Sequence, residues 1–425
     1  MQHVKRIARS ITGSAFLRQN AVFLFGSLLV GFANYLYYPV LARLIRPDAY
    51  GEVQAIVSLF LQLTIFLTVL TQVTVNVVTN YTDEDHKRKV IFELERFASM
   101  VSIVLLVLGV ILSGPLTRFF QFASVWPFII LLVVFVASVP LAFRSAYLRA
   151  HQKFGLTSAV NLVSGFGRIL ASAGLVLAGF SAAGAIGGLL AAQIGAFAYA
   201  AYEARKLGFR RPEGARYFSV PSLSLIAPEL KYALLVLMGT TLITLLSSMD
   251  VFVAKHYFDP QTAGEYAGVS TVARTIFFLV SPIALVLLPA VRITNPAGEN
   301  RKLLIKSVAL TIAIGAPAVL ICVIAAPMVV SALMGRHYLP YAHVLPVLSV
   351  AMLLLSIANV VISYYMALRK YQIWFIILIC ISGPLLVMWL HHSNVQDIAI
   401  NLLYSTVGML GLFAAWRTWT QLRKR

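Results

Sequence analysis

The chain has 425 residues, of which 60% are hydrophobic and 12% are charged, and its formal net charge is +19. A soluble globular domain is excluded, because such domains contain roughly 45–50% apolar residues. The cationic excess does not indicate a nucleic-acid-binding protein, because the cations lie between long apolar segments. The two cysteines lie inside apolar segments and indicate neither a disulfide nor a metal site.

Twelve apolar segments are long enough to cross the roughly 30 Å hydrocarbon core of a bilayer as helices. In chain order these spans 1–12 cover residues 20–44, 53–80, 97–117, 125–147, 156–179, 182–204, 230–254, 267–291, 304–333, 342–367, 371–391 and 396–417. The prediction is an all-α polytopic membrane protein with twelve transmembrane helices in two pseudo-symmetric six-helix bundles.

The distribution of cations predicts the orientation of the chain. If the N-terminus is cytoplasmic, 27 of the 34 Lys and Arg residues lie in segments on the cytoplasmic side. Five lie in outer turns and two lie within spans. The outer cations are Arg43, Arg46, Arg118, Lys255 and Arg336. This asymmetry follows the positive-inside rule and predicts that both termini are cytoplasmic.

The same reading divides the chain into five regions. Residues 1–18 form a basic amphipathic segment, which either lies on the membrane surface or is a frayed tail. The two bundles cover residues 19–204 and 230–417. The cytoplasmic linker 205–229 joins them, and a basic cytoplasmic tail covers 418–425.

Span 2 carries five polar residues at four-residue intervals, a spacing that keeps them along one slowly spiralling side of a helix. They are Thr64, Thr68, Gln72, Asn76 and Asn80. Such groups are costly against lipid and are expected to face other helices or water. Two interpretations are open: the wall of a polar cavity that binds sugar, or hydrogen bonds that hold helices together.

Spans 3 and 4 are nearly all aliphatic and aromatic, which predicts contact with lipid along much of their length. Span 5 carries a second polar series, Thr157, Asn161, Gly165, Arg168 and Ser172, at intervals of three or four residues. Span 6 is rich in glycine and alanine, which permits close approach of a neighbouring helix.

A hairpin of two helices occurs twice, half a chain apart. Pro47 and Pro260 are 213 residues apart, and so are Gly51 and Gly264. Span 7 ends near Asp250, and span 8 carries Arg274. Duplicated halves are typical of transporters whose site lies between the repeats.

The sequence contains no phosphate-binding loop and no metal-ligand spacing, and its outer turns are short. No enzymatic activity, cofactor or metal is therefore predicted. The informative groups are the in-span cations Arg274 and Arg168, for which Asp250 is the only acid near either in depth. An anionic ligand would balance them, and arginine suits a pyrophosphate. The alternatives are an ion pair of Asp250 with Arg274 or Lys255, or an arginine that reaches the membrane surface.

Two stretches resemble a known family. They are YYPVLARLIRPDAYGEVQAI in spans 1–2 and MDVFVAKHYFDPQTAGEYAGVSTVARTIFFLVSPIALVLLP in spans 7–8. The chain resembles the oligosaccharide flippases of bacterial polysaccharide synthesis, in the superfamily of multidrug, oligosaccharidyl-lipid and polysaccharide exporters. The resemblance implies movement of undecaprenyl-pyrophosphate-linked repeat units from the inner to the outer leaflet of the bacterial cytoplasmic membrane by alternating access. The product would be O-antigen of lipopolysaccharide, capsule or exopolysaccharide.

The resemblance also suggests roles for individual residues. Arg274, followed by Pro282, looks like the arginine that lines a cationic cavity in related lipid II flippases. Arg274 and Arg168 are expected to hold the pyrophosphate, while Thr68, Gln72, Asn76 and Asn161 bind the sugar. Asp250 is the candidate for ion coupling.

The expected partners are a lipid-linked oligosaccharide and membrane lipids. A polysaccharide polymerase and glycosyltransferases are candidate protein partners, and no nucleic acid is expected. The alternative functions are a multidrug exporter on the same fold, a lipid II flippase, and an assembly protein that anchors glycosyltransferases.

Overall fold

The computed structural model describes residues 15–80, 83–151, 153–209, 244–291, 297–368 and 393–422, and also residues 222, 226, 237 and 241. In these residues the chain is helical and contains no β-strand. The α-helices are α1 Ala15–Leu44, α2 Pro47–Asn80, α3 Glu84–Phe119, α4 Trp126–Ala150, α5 Phe154–Leu175, α6 Ser181–Lys206, α7 Met249–Tyr257, α8 Pro260–Ala290, α9 Ala297–Ile324, α10 Ala326–Leu333, α11 Leu345–Ala367 and α12 Val395–Leu422. A π-helical turn covers Val176–Phe180, and a 3₁₀ segment covers Arg336–Val344.

Eight helical stretches of the described residues are long and apolar enough to cross a membrane. One of them, Gly155–Lys206, contains both α5 and α6. The all-α membrane fold is thus confirmed. The count of twelve stays a prediction, because span 11 and about half of span 7 lie outside the described residues.

The first compact unit contains residues up to Leu44, Leu63–Pro115 and Ser124–Leu234. Its helices α5 and α6 form a hairpin that turns at Gly179, whose φ of 97° suits glycine. The hairpin is tight: a Cβ on Gly188 would lie 2.2 Å from the backbone nitrogen of Ser172. The Ser172 hydroxyl donates a hydrogen bond of 2.7 Å to the carbonyl of Ala185. The predicted close approach of span 6 to a neighbour is confirmed.

Helices α3 and α4 differ in exposure although their sequences look alike. The most apolar stretch of α3 is 17% buried. Large apolar side chains between Met100 and Leu112 are exposed, as contact with lipid requires. The corresponding stretch of α4 is 56% buried, so span 4 has less surface available to lipid than span 3. The cause is packing: α4 contributes Leu141 and Leu148 to a buried cluster with residues of α5 and α6.

The second unit contains Ile45–Gln62, Leu116–Ala123 and the chain from Leu235 onward. In it the two copies of the duplicated hairpin cross at their equivalent glycines. A Cβ on Gly51 would lie 2.8 Å from the Cα of Gly264, and a Cβ on Gly264 would collide with the Pro47 carbonyl. Only glycine permits this approach of two backbones. A buried cluster of residues from α8, α9 and α11 forms a further part of the core of this unit.

The five predicted regions of the chain stay predictions. Residues 1–14 of the N-terminal segment, residues 210–221 of the linker and residues 423–425 of the tail lie outside the described part of the chain.

Candidate functional site

A polar pocket of about 340 Å³ lies inside the first unit, and its wall comes from α2, α4, α5 and α6. Seven of its residues carry hydroxyls, two carry amides, one is an arginine and four are apolar. The lining residues are Thr64, Leu67, Thr68, Thr71, Ser138, Leu141, Ala142, Ser145, Arg149, Thr157, Val160, Asn161, Ser164 and Gln193. Its volume falls in the range of ligand-binding sites, which is roughly 300–1,000 Å³.

The lining positions follow from helical periodicity. Residues three or four apart share a helix face, so Ser138, Ala142, Ser145 and Arg149 of α4 all point the same way. The same spacing puts polar residues of α2 and α5 on the wall. The polar faces of these helices therefore turn away from lipid and towards one another, which avoids the cost of polar groups in hydrocarbon.

Most hydroxyls of the wall already donate to their own helix. Thr68 Oγ1 donates to the Thr64 carbonyl at 2.9 Å, and Thr71 Oγ1 donates to the Thr68 carbonyl at 2.8 Å. Ser138 Oγ donates to the Val134 carbonyl at 2.7 Å. A hydroxyl that donates keeps two lone pairs, so these oxygens can accept hydrogen bonds from a ligand.

Two buried polar atoms of the wall have no partner among the described residues. They are the Oε1 acceptor of Gln193 and the Nε donor of Arg149. The Gln193 amide is oriented, because its Nε2 donates to Ser138 Oγ at 3.0 Å. Buried polar groups in proteins nearly always find a partner, so these two atoms are exceptions to that rule.

The structure brings two of the predicted sugar-binding residues together. Thr68 and Asn161 both line the pocket and both are exposed to it. Gln72 is exposed but lies outside the lining set. The side chain of Asn76 lies outside the described residues.

Arg168 has no carboxylate partner in the described part of the chain. Its Nη2 donates to the Asn34 Oδ1 at 3.0 Å and to the Asn34 carbonyl at 3.2 Å. Its guanidinium carbon lies 4.2 Å from the ring centroid of Tyr37, a cation–π contact. Arg168 lies one helical turn beyond Ser164 on α5, so the polar face of α5 continues past the pocket.

Arg274 has a different environment. Its Nη2 lies 2.8 Å from Asp250 Oδ1, and both side chains are buried, at 4% and 0% exposure. Asp250 also accepts hydrogen bonds from the hydroxyls of Tyr266 and Ser270, and Arg274 donates to Ser58 Oγ at 3.4 Å. The expectation that Arg274 lacks a counter-charge is therefore wrong. The structure has the alternative, a buried ion pair between Asp250 and Arg274.

Several pocket residues were not identified from the sequence. Ser138 and Ser145 are isolated in an aliphatic span, and Gln193 lies among small residues. Arg149 follows the end of span 4, in a segment predicted to lie on the cytoplasmic side. Ser138, Ser145 and Arg149 are seven and four residues apart, which places them on one face of a helix that continues past the end of span 4.

Comparisons with known proteins bear on the fold and the family. A family model described as "Polysaccharide biosynthesis protein" matches residues 17–294. A search of curated protein sequences finds no significant match.

Several solved structures have the same fold at low sequence identity. A structure of the lipid II flippase MurJ in an inward closed conformation has a TM-score of 0.73 at 13% identity, covering 93% of this chain and 87% of that one. An inward-facing multidrug resistance MATE transporter of the MOP superfamily has a TM-score of 0.70 at 13% identity, with 93% and 95% coverage. The eukaryotic MATE transporter AtDTX14 has a TM-score of 0.59 at 13% identity, with 93% and 91% coverage. These similarities show that the chain shares the fold of these membrane proteins.

Proposed function

Because the chain belongs to the polysaccharide biosynthesis protein family, we propose that it is a flippase for lipid-linked oligosaccharides. The substrate would be a repeat unit carried on undecaprenyl pyrophosphate, moved from the inner to the outer leaflet of the bacterial cytoplasmic membrane. The cation asymmetry supports an orientation with both termini in the cytoplasm. Alternating access is the mechanism we propose.

The observation that carries the proposal is the pocket of hydroxyls and amides within a membrane-spanning helical unit. A sugar presents hydroxyls in many directions, each both donor and acceptor. The seven hydroxyls offer lone pairs, and the two amides carry both donors and acceptors. An apolar drug would offer no hydrogen-bond partner to the Asn161 amide or the Arg149 guanidinium, which is costly.

Not all of the predicted binding residues have the same support. Thr68 and Asn161 line the pocket, and we propose them as sugar ligands. Gln72 and Asn76 lie further along the same polar series and remain candidates. Arg168 is a candidate for a later anion contact, since no carboxylate of the described residues neutralises it.

For Arg274 and Asp250 we propose first a structural role, because each is the other's partner. Arg274 could bind pyrophosphate, and Asp250 could bind a coupling ion, only if the pair opens. These two assignments stay predictions.

The second candidate is a multidrug exporter, since transporters of that kind share the fold. The charge of the pocket opposes this function for cationic drugs, because Arg149 is the only charged residue among the described residues of the wall. A lipid II flippase is a further candidate, because the MurJ structure shares the fold.

The test is transport in vesicles. The full chain is reconstituted with a fluorescent oligosaccharide on a polyprenyl pyrophosphate, and an impermeant quencher reports the leaflet. We expect protein-dependent movement between leaflets. Movement no faster than in protein-free vesicles would refute the proposal, and transport of ethidium by the same vesicles would favour the drug exporter.

A matched pair of variants tests the role of the pocket. Thr68→Val removes one pocket hydroxyl, while Thr418→Val removes an exposed hydroxyl on α12 that also donates to its own helix, at 2.8 Å to Ala415. Loss of one hydrogen bond to the substrate, roughly 1 kcal/mol, should slow transport by Thr68→Val about fivefold. Thr418→Val should transport like the wild type. Equal rates for the two variants would exclude the pocket as the sugar site.

A further inference from the structure

We propose that Arg149 binds the phosphate groups of the substrate at the end of the polar pocket. This inference rests on the proposed function and assigns the anion to a residue other than Arg274. Of the described residues that line the pocket, Arg149 is the one that is charged, and none of them is acidic.

Among the described residues, Arg149 has no partner that would neutralise it. No hydrogen bond or ion pair of its side chain occurs with the described residues, and its Nε is buried without an acceptor. Its neighbour on the same helix shows the contrast: Arg144 donates to Glu95 at 2.6 Å and covers the ring of Phe209. A partly buried guanidinium without a partner is costly, and a phosphate would supply acceptors for two parallel N–H groups.

The position of Arg149 fits a ligand with a sugar and a phosphate. Arg149 is in the last turn of α4, eleven residues after Ser138, so the two lie about 16 Å apart along the helix axis. Gln193 bonds Ser138 at one end of the pocket, while Arg149 marks the other. The sugar would occupy the hydroxyl-lined part, and the phosphate would lie at the arginine.

A structural role for Arg149 makes a different prediction. A cation in the last turn of a helix interacts favourably with the helix dipole. In that case Arg149→Ala would lower the melting temperature and leave ligand affinity unchanged. A phosphate ligand predicts the opposite pattern, a loss of affinity in a protein that still folds.

The test is a binding measurement on the purified full chain in detergent. The probes are farnesyl pyrophosphate, farnesol, inorganic pyrophosphate and phosphatidylglycerol. Each probe is measured with the wild type and with the variants Arg149→Ala, Arg149→Lys and Arg205→Ala. Arg205 is the control because it is an exposed cation of α6 outside the pocket. Thermal melting of each variant shows that it is folded.

We expect Arg149→Ala to weaken farnesyl pyrophosphate binding about tenfold or more, since one charge-assisted contact is lost. Arg149→Lys should retain part of the affinity, because the charge remains but the two-pronged geometry does not. Farnesol should bind all variants equally. A similar loss for inorganic pyrophosphate would show that the phosphate group alone is recognised.

Three results would overturn the inference. One is equal affinity of the wild type and Arg149→Ala for farnesyl pyrophosphate. A second is an equal loss in Arg205→Ala, which would indicate general charge attraction. A third is a loss confined to phosphatidylglycerol, which would indicate a membrane phospholipid site. None of these depends on transport, so vesicles that fail to move the oligosaccharide would refute the proposed function without refuting phosphate binding at Arg149.

Discussion

Arg274, Arg168 and Arg149 differ in the groups that neutralise their charge. Arg274 is fully buried against Asp250, and the carboxylate also accepts from Tyr266 and Ser270. Arg168 has only the amide and carbonyl oxygens of Asn34 and the face of Tyr37. Arg149 has no partner among the described residues. An anion displaces nothing at Arg149, whereas at Arg274 it competes with a carboxylate.

The Asp250–Arg274 pair leads to a prediction about stability. Removing one member of a buried ion pair leaves the other charge uncompensated, which costs about 3–5 kcal/mol, whereas removing both costs far less. Arg274→Met should therefore lower the melting temperature strongly. The double variant Arg274→Met with Asp250→Asn should regain most of the loss.

Thermal unfolding in detergent measures these differences, with Arg118→Met as the control at an exposed cation. Equal melting temperatures of the single and double variants would contradict a structural pair. The double variant also separates two roles. If it transports substrate at the wild-type rate, Arg274 and Asp250 act in stability alone.

At the scale of an element, α8 illustrates how the sequence fixes a helix start. Asp259 caps the helix, accepting from the backbone N–H groups of Gln261 and Thr262 at 3.1 and 3.0 Å, and Pro260 occupies the first helical position. Gly264 follows, where the duplicated hairpins cross. This sequence of cap, proline and glycine sets where α8 begins and how closely it approaches α2.

The cap leads to a prediction about pH. The hydrogen bond with the Thr262 side chain, together with backbone N–H groups, lowers the pKa of Asp259 from its ordinary value. When folding lowers the pKa of a carboxyl, its charged form stabilises the folded protein. This stabilisation is complete above the unfolded pKa of about 3.9 and is lost as the pH falls through the folded pKa. Asp259→Ala should cost about 1 kcal/mol, and this deficit should stay constant from pH 5 to 8.

Melting temperatures at several pH values test the cap. The control is Asp85→Asn, which removes an exposed acid of α3 whose side chain makes no hydrogen bond with the described residues. A deficit of Asp259→Ala that changes between pH 5 and 8 would show that another group titrates at the cap.

At the scale of the whole molecule, length and hydrophobicity were enough to predict an all-α membrane fold. The repeated proline and glycine positions also predicted a duplicated hairpin, because backbone contact at Gly51 and Gly264 tolerates no side chain. The polar series of α2 and α5 include Thr68 and Asn161, which line the pocket. The spacing of residues along a helix shows directly which of them share a face.

The ion pair and the full pocket wall depend on which helices are neighbours. The spacing of residues along one helix does not contain that information. Asp250 and Arg274 are 24 residues apart on separate helices, so their pairing required the packing of α7 on α8. Serines in an aliphatic span became a pocket wall because α4 faces α5 and α6. In the sequence, Arg149 looks like any cation that follows a membrane span. Only the structure shows that its Nε is buried without a partner among the described residues.

The final prediction concerns the driving force. A pyrophosphate diester carries two negative charges, and each charge that crosses the membrane gains about 2.3 kcal/mol per 100 mV. A potential of 100 mV, negative on the leaflet of origin, should therefore shift the steady-state distribution of the substrate by about 4.6 kcal/mol, or roughly a thousandfold. Potassium gradients with valinomycin set the potential in the vesicles, and the quencher reports the distribution. A monophosphate-linked analogue, with one charge, should respond about half as much in free energy. An equal response of the two substrates, or none, would show that a coupled ion compensates the substrate charge, and Asp250 would then be the first residue to test.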